Sequence, residues 1–127
     1  MTAHIVRLGT PRGAGEGLRL GTVRFPPRGV AKADWAARDF FDVWLPLLAP
    51  QAATLKLARD GDDAEWRRFA RAYLREMKEP APRQALALLA ALSHHTDFAV
   101  GCYCADESHC HHSLLRELLR DAGALLA

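Results

Sequence analysis

From Arg83 onward the chain alternates in a way that few folds accept. "QALALLAAL" (84–92) has the composition of a helix placed over 83–95, with Pro82 well positioned near its start. "DFAVGCYC" (97–104) follows as a buried strand. After a turn, Leu114, Leu115, Leu118, Leu119 and Ala122 recur at helical spacing over about 109–122. Gly123 stands where a helix of that length would stop. A strand held between two helices needs sheet partners, and the helices need a sheet face to cover.

The partners lie early. "HIVRLG" (4–9) and "LRLGTVRF" (18–25) have strand character. "TPRGAGEG" (10–17) joins them, and its Gly13-x-Gly15-x-Gly17 spacing invites comparison with a phosphate loop. Such a loop opens a helix, whereas this one opens a strand, so a hairpin or a mobile loop is expected. "KADWAARDFFDVW" (32–44) reads as a helix start followed by irregular chain into Pro46 and Pro50. "QAATLKLARDG" (51–61) reads as a short helix stopped by Gly61. Asp62 or Asp63 caps a longer helix whose stripe Trp66, Phe69, Ala70, Tyr73, Leu74 and Met77 is core. Arg67, Arg71, Arg75 and Lys78 form its solvated side, balanced by Glu65, Glu76 and Glu79.

The expected fold class is therefore α/β. It is a small single-domain sandwich over 1–127, with a mixed, mostly parallel sheet covered by helices. The helix over 83–95 is apolar all round and should be covered on more than one side. Half of the 127 residues are hydrophobic, enough for a real core. A net charge of +2 is too small to point to nucleic acid. "MTAHIVRLGTPRG" has no apolar run of the kind a targeting signal needs, and no stretch is long enough for a bilayer. The three cysteines are clustered and odd in number, which suits a reducing compartment. A cytoplasmic protein without membrane contact is expected.

All three cysteines fall in "CYCADESHCHH" (102–112), with three of the six histidines. In α/β sheets ligands collect beyond the carboxyl ends of strands, where this stretch should lie. The phase of the last helix turns Cys110 and His111 inward, leaves His112 at the border and exposes His109. Cys102 and Cys104 share a strand face, and Cys102 reads as a small buried hydrophobe. Ser108 is the expected cap of the last helix. A helix N-terminus with nearby histidines suits a reactive thiolate at Cys110. A Cys-x5-Arg phosphatase loop does not fit, because Cys110 and Ser108 stand where the Arg would be. A zinc or iron site is the metal alternative, with Cys104, Cys110 and His111 as ligands. The spacing departs from the Cys-x2-Cys of common zinc modules.

"VRFPPRGV" (23–30), "WRRFARAYLREM" (66–77) and "CYCADESHCHHSLLRELL" (102–119) resemble the bacterial and archaeal "domain of unknown function 488" family. The family pattern has an Arg before Pro-Arg-Gly, then a Cys, an acidic residue and Cys-His-Arg opening the last helix. Arg24, Arg28 and Gly29 match the first part; Cys104, Glu107, Cys110 and His111 match the second. His112 stands where the family has Arg, so a permanently charged fork is missing there.

The resemblance implies no established activity, but it brings Arg24 and Arg28 into the argument. If the early strand runs parallel to 97–104, both arginines approach the edge that holds Cys110 and His111. The leading expectation is a pocket of Arg24, Arg28, Cys104, Glu107, Cys110 and His111 for a small anionic ligand such as a nucleotide or phosphorylated metabolite. In an enzyme, Cys110 or His111 would be nucleophile or acid/base and Glu107 would orient the histidine. The plainer reading of Arg28 is that it holds a Pro-Gly loop by its carbonyls. A third expectation is a non-catalytic interaction module or homodimer docking through Trp35, Phe40, Phe41 and Trp44.

Overall fold

The computed structural model describes residues 1–58, 62–103 and 110–127. Four strands form one sheet: β1 (Ala3–Arg7), β2 (Leu18–Gly21), β3 (Val43–Trp44) and β4 (Phe98–Cys102). Their order is β1-β4-β2-β3, and every pairing is parallel. β4 thus enters last, between two strands laid down early. Arg7 pairs with Cys102 and Gly21 with Gly101, so the carboxyl ends of β1, β2 and β4 lie side by side.

The helices are α1 (Ala52–Leu55), α2 (Asp63–Glu76), α3 (Pro80–Leu92) and α4 (His111–Asp121). The Asp62 carboxylate accepts from the Glu65 amide at 2.7 Å, capping α2. Gly123 follows α4 at φ +101°, as a helix stop requires. α2, α3 and α4 cover one face of the sheet. Phe69, Tyr73, Leu86, Leu89, Leu115 and Leu119 bury there against Ala3, Leu20, Phe98 and Val100.

The opposite face is covered by the chain between strands, with Phe41 and Leu8 at its core. Phe41 and Leu8 press so closely that the facing strand positions are glycines. A Cβ on Gly21 would stand 2.4 Å from the Phe41 ring, and one on Gly101 would stand 2.4 Å from Leu8 Cδ2. Arg19 is fully buried on this side, pairing with Glu16 and donating to the Thr10 and Asp39 carbonyls.

Several expectations change. β1 and β2 are not a hairpin, because β4 separates them and all three run parallel. The Gly-rich loop instead returns the chain from the carboxyl end of β1 to the amino end of β2. Gly17 sits there at φ +77°, with its Cα against the Asp97 carbonyl. The 32–44 segment holds a 3-10 turn (Lys32–Asp34) and then β3, an edge strand where irregular chain is expected from the sequence. Phe41 is core, while Trp35 and Phe40 pack against it and Trp44 is partly exposed. α3 is covered on one side only: Leu88 is 61% exposed and Leu92 38%. Ala122 is exposed rather than inward.

Candidate functional site

The carboxyl ends of β2 and β4 meet the first turn of α4, and three donor side chains converge there. β4 alternates sides, so Cys102 continues the face of Phe98 and Val100 toward the helices. Cys110 is the N-cap residue of α4, with extended backbone and no side-chain cap bond. Its sulfur therefore turns inward instead of folding onto the helix amides. Cys102 Sγ and Cys110 Sγ stand 3.0 Å apart, and both are thiols. His111 Nδ1 lies 3.8 Å from Cys110 Sγ. All three donor atoms fall within 4.8 Å of one another, and all three residues are buried.

The histidines are oriented by Thr22, just past β2. His111 Nε2 lies 2.8 Å from the Thr22 carbonyl oxygen. A carbonyl only accepts, so Nε2 carries the proton and Nδ1 is the nitrogen turned toward the sulfurs. The single Thr22 hydroxyl proton goes to the Gly101 carbonyl at 3.1 Å. His112 Nε2, 3.0 Å from the same hydroxyl oxygen, is then the donor of that pair. His112 is accordingly buried, not at the border where helix phase put it. Edge-on rings reinforce the arrangement: His111 to His112 at 4.8 Å and Tyr73 to His111 at 5.5 Å. The Tyr73 hydroxyl donates to the Leu48 carbonyl at 2.8 Å. Burial, with the nearby sulfurs, pushes its pKa well above the ordinary phenol value, so it is neutral here.

Cys102 and His111 form the floor of a cleft of about 510 Å³. Its walls are mostly apolar, with Val23, Phe25, Pro27, Phe40, Pro50 and Leu55 among them. Arg24 and Arg28 also line it and are its charged residues among the described ones. The structure therefore brings both arginines to the same cleft as His111. Arg24 also braces the fold, because its guanidinium donates to the carbonyls of Pro46, Ala49 and Pro50 at 3.0–3.1 Å. Arg28 is exposed at the rim. Tyr103, half-exposed there, donates to the Phe25 carbonyl at 3.1 Å, and burial pushes its pKa up to about 12.

Of the expected site residues, Cys110 and His111 are inward and together. Cys104 and Glu107, like Ser108, His109 and Gly61, lie outside the described residues. Cys102, read from sequence as a strand-core hydrophobe, is buried and belongs to the cluster; the metal expectation of Cys104, Cys110 and His111 had not included it. Thr22 and Tyr73 join the site without having been expected there; a Thr one residue past a strand carries no signal of its own.

A parallel four-stranded α/β sheet with a Cys/Cys/His cluster at its carboxyl edge defines the class of protein. The family model of DUF488-N3a, described as "Active DUF488-N3 subclade", matches residues 3–123, and the chain belongs to this family. No curated protein and no solved structure matches the chain.

Proposed function

We propose that Cys102, Cys110 and His111 bind a transition metal, zinc first, at the floor of a cleft that admits a small anionic ligand. The observation that carries this reading is the convergence of two sulfurs and one imidazole nitrogen within 4.8 Å. Thiolate and imidazole are donors that zinc and iron favour. The Thr22 carbonyl on the far side of His111 is the kind of outer partner that fixes a ligating imidazole. Two thiolates on a tetrahedral zinc, each at ~2.3 Å, stand about 3.8 Å apart. The observed 3.0 Å widens to that value by side-chain adjustment of under about 1 Å.

Among the described residues, three donors stand at the floor of an open cleft, and catalytic zinc centres likewise keep a position open to the cleft. The word "active" in the family's description agrees with that reading. Arg28 at the rim supplies attraction for an anionic group, and the apolar walls suit a ligand with a flat or greasy body. Ligands of this type include nucleotides and phosphorylated metabolites.

Elemental analysis of untagged protein, purified under reducing and anaerobic conditions, tests the metal. About one equivalent is expected, falling below about a tenth in Cys102→Ser and in His111→Ala. A wild-type protein holding less than about a tenth of an equivalent after incubation with zinc contradicts the reading.

The anionic ligand rests on a separate observation, the two arginines lining the same cleft. Thermal-shift titration with nucleoside monophosphates, sugar phosphates and orthophosphate tests it. Stabilisation by at least one of these, weakened in Arg28→Ala, is expected; a flat response to all of them contradicts it.

A further inference from the structure

We propose that Cys102 and Cys110 are also a redox modification site, closing into a reversible disulfide when a peroxide enters the cleft. The two sulfurs are already 3.0 Å apart, so a bond of about 2.05 Å needs an approach of only about 1 Å. The two residues are eight positions apart in sequence, yet they are fixed on different elements, β4 and the start of α4. Packing has thus already met the entropy cost of bringing the thiols together. Both are buried, Cys102 at 3% and Cys110 at 2% exposure, but Cys102 lines the cleft and Cys110 is not among its described lining residues. Their roles follow from that placement: Cys102 meets the oxidant and Cys110 resolves the product.

The chemistry balances with hydrogen peroxide as the co-reactant. The Cys102 thiolate attacks one peroxide oxygen; an S–O bond forms, the O–O bond breaks, and hydroxide leaves as water with the proton the thiol gave up. The Cys110 thiolate then attacks the Cys102 sulfur of the sulfenic acid. The S–S bond forms, the S–O bond breaks, and the hydroxyl departs as a second water. Two thiols lose two electrons, and one peroxide gains them. A dithiol reductant reverses the change. The disulfide needs no metal, but its consequence rests on the metal reading. It withdraws two of three donors, so the oxidised protein releases a metal held there.

The test uses the whole chain, stripped of metal by a chelator, reduced, desalted and exposed to hydrogen peroxide. Alkylation and intact mass then count thiols, and peptide mapping locates the cross-link. The chain has three cysteines. One alkylated thiol, a Cys102–Cys110 cross-linked peptide and recovery of all three thiols with dithiothreitol are expected. Cys104→Ser should keep the cross-link, and Cys110→Ser should abolish it. A cross-link through Cys104 overturns the proposal, as does sulfinic acid at Cys102 with Cys110 still alkylated. Cys104→Ser keeps the test decisive should Cys110→Ser fail to fold. Because the protein is metal-free throughout, failure of the metal reading leaves this result untouched. A second arm adds peroxide to zinc-loaded protein and follows release with a chromophoric chelator; release in step with the cross-link is expected, and cross-linking with zinc retained contradicts the switch.

Discussion

Arg19 shows what a single residue decides in this protein. "LRL" in β2 sets Arg19 on the face opposite Leu20. In the structure, chain from residues 8–17 and 39–42 lies over that side, and Arg19 is buried with Glu16. Breaking such a pair leaves an uncompensated charge in the interior. Arg19→Met should therefore cost about 3–5 kcal/mol of stability, measured as a lower urea midpoint. The same cluster gives an acid dependence. Burial alone would push the Glu16 carboxyl up, but the Arg19 side chain and the Gly13 amide outweigh it and hold it below its ordinary value. Asp42 is held low chiefly by the Arg12 guanidinium, against burial, with help from the Arg19 amide. Both folded values are depressed, so their stabilisation is complete above the ordinary carboxyl range near about pH 4 and is lost as acid lowers the pH through the folded values. Glu16→Gln should be less stable than wild type at pH 7 and should lose less on acidification. An equal acid loss in both proteins would contradict the assignment.

At the scale of elements, the central glycines and the helix cap carry the predictions. Gly21→Ala and Gly101→Ala each place a methyl inside a packed contact and should cost about 1–3 kcal/mol. Asp62→Ala removes the α2 cap and should cost about 1 kcal/mol, read from the same denaturation curves. α2 and α4 were legible because their periodicity is long and each shows one apolar face, and β4 because it is a short, continuous apolar run. Their expected and observed limits agree within a few residues. β3 was hidden because two residues carry no period and its edge position leaves both exposed. The strand order was hidden for a different reason. Local sequence favours pairing neighbours, whereas β4, buried at all five positions, takes the centre because only there are both its edges and both its faces covered. α3 misled in the opposite direction: alanines and leucines all round suggested double cover, and the fold leaves Leu88 outside.

Over the whole molecule, parallel strands gather their carboxyl ends on one side, and α4 begins directly above them. That arrangement made Cys110 and His111 legible, since helix phase alone turns them inward. It did not reveal Cys102, whose strand position looked like packing until the structure set its sulfur 3.0 Å from that of Cys110 at the helix start. Nor could it reveal Thr22, which acts through its carbonyl and hydroxyl rather than its identity as a ligand. No helix among the described residues is long and apolar enough to cross a membrane. The central claim is the donor set at the cleft floor. X-ray absorption at the zinc edge of the reconstituted, untagged protein tests it most directly. Two sulfurs at ~2.3 Å and one imidazole nitrogen at ~2.0–2.1 Å, with the remaining position filled by a light atom, are predicted. A shell of nitrogen and oxygen alone, or of three sulfurs, would contradict the assignment to Cys102, Cys110 and His111.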